Sequence, residues 1–127
     1  LSEKESKLIA SILNDGVKTY INIHSGEYSI YIPYDGKTTK PLNYAQRLKK
    51  VKELQKKCPM CSIGQASVLS FYKAFGTSVD YATSIGVPEA YTFEVFGSNS
   101  PRCVNAFNPK KTNQTLIRWA DILYSVI

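Results

Sequence analysis

This chain is short of the side chains that most often do chemistry. Its 127 residues include one histidine, His24, and three cysteines. No second close cysteine pair follows Cys58 and Cys61, so the usual spacing of a structural zinc site is missing. No apolar run reaches roughly eighteen residues, and no segment is therefore expected to cross a membrane as a helix. The first ten residues, LSEKESKLIA, lack a basic start followed by an apolar block and are not expected to be a signal peptide. They also lack an initiator Met and read as the inside of a helix, which raises the expectation of a piece of a longer protein. Neither an internal repeat nor a low-complexity stretch occurs.

What is present suits a folded domain. Apolar residues make up 43% of the chain, with nine tyrosines among them, enough to build a core. The net charge is +6, and much of the excess comes from Arg47, Lys49, Lys50, Lys52, Lys56 and Lys57, opposed locally by Glu53. That run reads as the solvated face of an amphipathic helix, with Leu48, Val51 and Leu54 turned inward. A nucleic-acid module would interleave such charges with exposed aromatics or carry a recognisable motif. No nucleic-acid partner is expected.

The order of elements follows from turn signals and periodicity. LSEKESKLIASILNDG reads as a helix with Ser2 as N-cap, Glu5 completing a capping box and Asp15-Gly16 closing it. VKTYINI then reads as a short buried strand, and YSIYIPY as a second one ended by Pro33 and an Asp35-Gly36 turn. Residues 43–57 form the basic helix, and SIGQASVLSFYKAFGTS a loop containing a short strand or helix. SVDYATSIG reads as a short helix capped by Ser78, YTFEVFG as a strand, and residues 112–126 as a closing amphipathic helix. Strands alternating with helices predict an α/β layered domain whose sheet is at least partly parallel.

Four groups stand out as candidates for chemistry. His24 falls at the C-terminal end of its strand, where open α/β sheets place ligand crevices, although a lone histidine there is more often structural than catalytic. Ser25-Gly26 lets the backbone turn sharply beside it. Glu94 lies inside YTFEVF; on a half-exposed strand it and Thr92 face water, whereas on a strand buried on both faces the carboxylate needs a metal or cationic partner. Tyr72 occupies a segment rich in small residues and could donate to an oxyanion or a substrate carboxylate. Asp80, near the start of its helix, reads as compensation of the helix dipole. Cys58, Cys61, Cys103 and His24 also form a valid Cys3His zinc composition, though a scattered one. One local cysteine pair plus a lone thiol suits a secreted protein, and three free thiols suit a reducing compartment.

YINIHSG, FYKAFGTSVDYA and VPEAYTFEVFG, in that order, resemble zinc metallocarboxypeptidases of the carboxypeptidase A/B type. CPMC and CVNAFNP are most similar to the branch found in plants and protists. The resemblance covers essentially the whole chain. It implies that residues 1–127 are the C-terminal segment of a catalytic domain built as a three-layer α/β/α fold around a mixed sheet. It further implies that His24 is a zinc ligand, that Ser25 borders the substrate groove, and that Tyr72 closes over the peptide's terminal residue. Glu94 becomes the glutamate that activates zinc-bound water, and Val79 the base of the pocket for the departing side chain, lined also by Thr92. A carboxylate at the base favours basic C-terminal residues in that family, so Val79 implies an apolar or aromatic preference. The cofactor implied is one zinc, with two further ligands from a His-x-x-Glu motif expected upstream of residue 1. The partners implied are peptide or protein C-termini and the N-terminal part of the same domain, in an extracellular or vacuolar/lysosomal setting. On this reading the isolated chain, with one ligand of three, is inactive. A non-catalytic relative that binds peptides, and a basic nucleic-acid-binding domain, are the rival readings. Gly26 departs from the aromatic residue that animal digestive members carry after His-Ser, which leaves the adjoining subsite open.

Overall fold

The computed structural model describes residues 2–97 and 109–127. Its elements run α1 (Lys4–Asn14), β1 (Thr19–Gly26), β2 (Tyr28–Ile32), α2 (Tyr44–Gln55), β3 (Ser62–Gln65), α3 (Ala66–Leu69), α4 (Ser78–Ser84), β4 (Glu89–Gly97) and α5 (Pro109–Tyr124). The strands form one four-stranded mixed sheet in the order β1-β4-β2-β3. Strands β1 and β4 are parallel, as are β2 and β3, while β2 and β4 run antiparallel. The last strand in sequence therefore sits inside the sheet, between β1 and β2.

Alternation along β4 divides the molecule into layers. Tyr91 and Phe93, both fully buried, face a core formed with Ile30 and Ile32 of β2, Val51 and Leu54 of α2, and Trp119 and Ile122 of α5. Helices α1 and α4 cover the start of the opposite face, where Leu13, Val79, Ala82, Val87 and Ala90 form a smaller core. The result is the expected α/β/α arrangement. Among the described residues its second cover is incomplete, so the C-terminal ends of β1 and β4 stay open there on the face that carries Thr92 and Glu94. None of the described helices is long and apolar enough to cross a membrane.

Several local expectations need correction. Ser2 does not cap α1: the N-cap is Glu3, which makes no side-chain cap bond, and the Ser2 hydroxyl donates to Glu3 instead. Helix α4 is capped by Thr77 rather than Ser78, the Thr77 Oγ1 accepting from the Asp80 amide at 3.4 Å. Strand β1 is only half-buried, because it pairs with β4 alone and its other edge is open among the described residues. Arg47 does not belong to the solvated face of α2. It is 7% exposed, with Nη2 donating to the Val87 carbonyl at 3.1 Å and Nε to that of Leu42 at 3.3 Å. Burial lowers its pKa, against the raising influence of Glu89 and Tyr34. The lysines of α2 largely keep to the surface, as does Lys57 just after it, paired to Asp121 at 2.7 Å.

Cys58 and Cys61 are joined by a disulfide inside the main core. Their sulfurs cannot serve as zinc ligands, which removes the Cys3His alternative. The loop around Cys103 lies outside the described residues.

Candidate active site

The register of the sheet builds the site. His24 of β1 lies beside Glu94 of β4, which lies beside Ser29 of β2. One row below, Asn22, Thr92 and Tyr31 line up in the same way. Because residues two apart on a strand share a face, both rows point to the side left open beyond α1 and α4. There they floor a cleft of about 720 Å³ whose walls include Ser25, Gly26, Asp35, Phe71, Tyr72, Thr77 and Ser78.

A break in the β1–β4 pairing between His24 and Gly26 shapes the mouth of the cleft. Gly97 then meets Gly26 so closely that a Cβ on residue 97 would fall 1.9 Å from the Gly26 carbonyl oxygen. Only glycine fits there. The bulge leaves His24 and Ser25 exposed at the cleft rim.

The floor is electrostatically uneven. Glu94 is half-buried, and its Oε2 has no hydrogen-bond partner among the described residues. Burial raises its pKa; His24 opposes that shift and Glu27 adds to it. Glu27 is already occupied, accepting from the Ser29 hydroxyl at 2.9 Å and from the Tyr31 hydroxyl. Burial together with that bond pushes Tyr31 up to about 12. The Thr92 Oγ1 is buried without a partner among the described residues. Tyr72, 72% exposed, stands on the segment after α3 with its neighbour Phe71.

Of the residues singled out from the sequence, His24, Ser25, Tyr72, Thr92 and Glu94 come together in this one cleft. Val79 does not. It is fully buried behind Ser78, against Leu13, Ala82, Val87 and Ala90, and is not among the residues that line the cleft. Asp80 lies in the first turn of α4, as dipole compensation requires, and has a second task. Its carboxylate accepts from the amides of Asp35 at 2.8 Å and Gly36 at 3.0 Å, tying the turn after β2 to α4. Asp35 was hidden by the Asp-Gly turn signal, yet its side chain lines the cleft and is 9% exposed.

Asp35 is the most perturbed acid of the cleft. Burial, and then repulsion from Asp80, raise its pKa from 3.8 to about 6, with Thr77 and His24 partly opposing the shift. The folded chain thus holds this proton more tightly than the unfolded chain does. The resulting penalty is absent at pH values below 3.8 and fully present above about 6. D35N is therefore expected to stabilise the fold by on the order of 2 kcal/mol at pH 7 and to be neutral near pH 3. Urea unfolding of the two proteins at both pH values checks this.

A catalytic zinc needs three protein ligands and an open position. The exposed imidazole of His24 fits one of the three, and the unpartnered Glu94 Oε2 fits a base beside an activated water rather than an inert surface acid. Among the described residues, no group of three or more His, Cys, Asp or Glu side chains is placed to hold a metal. The cleft thus fits one ligand and one base of a zinc site, not its full ligand set.

Comparison with known proteins gives concordant results. A sequence profile of the zinc carboxypeptidase family matches residues 1–120. Carboxypeptidase A2 of Rattus norvegicus is 31% identical over 107 residues, which cover 74% of this chain and 24% of the rat protein. The chain thus spans about a quarter of the length of that relative. The crystal structure of carboxypeptidase A from Helicoverpa armigera superposes with a TM-score of 0.85 at 22% identity, over 98% of this chain and 33% of the other. Bovine thrombin-activatable fibrinolysis inhibitor, in complex with tick carboxypeptidase inhibitor, superposes with a TM-score of 0.75 at 23% identity, over 98% of this chain and 46% of the other. At these identities the two structures speak to the fold alone.

Proposed function

Because the chain belongs to the zinc carboxypeptidase family, we propose that its cleft serves to remove C-terminal residues from peptides. The observation that carries this reading is the row of His24 and Glu94 at the floor of a cleft that also holds Tyr72. In this reading His24 is one zinc ligand, and the remaining ligands come from residues outside the described set. Zinc, when bound, supplies Lewis acidity towards the scissile carbonyl and its attacking water.

The chain's own residues do the rest. Glu94 takes the proton from the attacking water at Oε2, the carboxylate oxygen left without a hydrogen bond among the described residues. The hydroxyl adds to the carbonyl carbon, the C–N bond breaks, and Glu94 returns the proton to the departing amine. Tyr72, on its exposed segment, closes over the terminal residue and donates to the peptide. Ser25 borders the groove, and Thr92 lines the pocket floor. The apolar preference implied by Val79 finds no support in the cleft lining, where that residue is missing. The buried Cys58–Cys61 disulfide supports an oxidising setting, extracellular or vacuolar/lysosomal. We assign the lysines of α2 to solvent rather than to a nucleic-acid partner. With its described residues offering one ligand position, the 127-residue chain alone is proposed to be inactive.

The test uses the full-length natural protein loaded with zinc and two peptides that differ only in a free or an amidated C-terminus. Mass spectrometry should show stepwise loss of single residues from the free peptide and an intact amide. Cleavage of both at equal rates, or cleavage within the chain, contradicts the proposal.

A further inference from the structure

Three residues that the cleft does not use form a modification signal. Asn113-Gln114-Thr115 is an Asn-x-Thr sequence without proline at its centre. The chain has six other asparagines, and none of them has serine or threonine two positions on. The structure places this one signal at the surface. Helix α5 turns Trp119 and Ile122 into the main core, where Trp119 packs against Phe93. Ile122, nine residues after Asn113, lies about 180° around the helix from it. Asn113 thus occupies the side opposite the core. Among the described residues it is exposed, as are Gln114, Leu116 and Ile117 around it. A bulky group on Asn113 would displace no side chain of that core.

The disulfide gives an independent indication of the same setting. Cys58 and Cys61 are both buried in the main core, so their bond closes as the chain folds, in an oxidising compartment. In eukaryotic cells the lumen where disulfides form is also where oligosaccharides are transferred to asparagine. Resting on the oxidising setting proposed above, and not on the peptidase reading, we propose that Asn113 carries an N-linked oligosaccharide, on the layer turned away from the cleft.

The donor class is an oligosaccharide joined through a diphosphate to a polyisoprenoid lipid. The Asn113 Nδ2 bonds to the anomeric carbon of the first N-acetylglucosamine and loses one proton. The bond from that carbon to the diphosphate oxygen breaks, and the lipid diphosphate leaves with the electron pair. Nothing is oxidised or reduced. Transfer needs the Thr115 hydroxyl beside the Asn113 amide, but on a formed helix residues two apart point about 200° away from each other. Transfer therefore precedes closure of α5, and the sugar is carried to the exposed side as Trp119 and Ile122 dock. The cleft lies across the sheet, on the face of Thr92 and Glu94, and stays clear of it.

The test takes the full-length natural protein and its T115A and T115S variants, each made in a eukaryotic cell. Free thiols are alkylated before reduction, and trypsin then releases residues 112–118 between Lys111 and Arg118. Half of each digest is treated with peptide N-glycosidase in heavy-oxygen water. Mass spectrometry of the unaltered protein should show the Asn113 side chain converted to labelled aspartate in most copies, in the treated half alone. T115A should lose the label while T115S keeps it, since serine preserves the signal. An unlabelled peptide from the unaltered protein overturns the proposal, as does equal labelling in T115A. The alkylation separates the two ways of failing. Cys58 and Cys61 protected beside a bare Asn113 would leave the oxidising setting standing and remove the site. Both thiols free beside a bare Asn113 would remove the setting as well. No arm depends on peptidase activity.

Discussion

Replacing Val79 by Asp is expected to unfold much of the protein rather than change what it cleaves. Position 79 is fully buried, and its neighbours Leu13, Ala82, Val87 and Ala90 offer apolar surface alone. A carboxylate there must either ionise without a partner or hold its proton against an apolar wall. Leaving a buried charge uncompensated costs about 3–5 kcal/mol, a large share of the stability of an ordinary domain. Thermal melting should show a fall of about 10 °C or more. The cluster carries the contact between α4 and the first residues of β1 and β4, so its loss also loosens the wall that bears Thr77 and Ser78. A V79D protein that melts like its parent and turns over basic substrates faster would place Val79 in the pocket, against its observed burial.

Which parts of this arrangement were legible follows from the kind of signal each left. The alternation in YTFEVFG separates Tyr91 and Phe93 from Thr92 and Glu94, and the structure puts those pairs on opposite faces of β4. Strand β2 was equally clear, bounded by Pro33 and a turn. Sheet order was not legible, because pairing between β1 and β4 joins segments about 70 residues apart, and no local pattern encodes that. Periodicity could not extract Arg47 from its lysine-rich run, since its burial depends on carbonyls of the loop before β4 and of β4 itself. The burial of Val79 was not legible for a related reason. On a helix of seven residues, adjacent positions differ by about 100° in direction, so Ser78 can line a cleft while Val79 enters the core. Asp35 was masked by chemistry that it shares with many turns: Asp-Gly after a strand is so common a stop signal that it carries no hint of a side chain in a cleft. The unpartnered Oδ1 is a tertiary fact, visible only once β2 and α4 are in place.

The other large effect concerns Glu94. Glutamine keeps the size of the side chain and one carbonyl oxygen, but it cannot take a proton from water. Loss of a general base costs about a hundred- to ten-thousandfold in rate. The same substitution discriminates between two roles for a carboxylate beside His24. A base can be replaced without loss of metal, whereas a ligand cannot, because a neutral amide is a poorer zinc donor than a carboxylate. The half-buried setting of Glu94 favours the neutral side chain, so E94Q is expected to fold as its parent does. The decisive measurement therefore pairs zinc stoichiometry with single-turnover hydrolysis of a peptide bearing a free C-terminus, in the full-length protein and its E94Q variant. Unchanged zinc content and a rate lowered by about a thousandfold are expected. Undiminished hydrolysis, or a rate lost only together with the metal, would contradict the role of Glu94 as base.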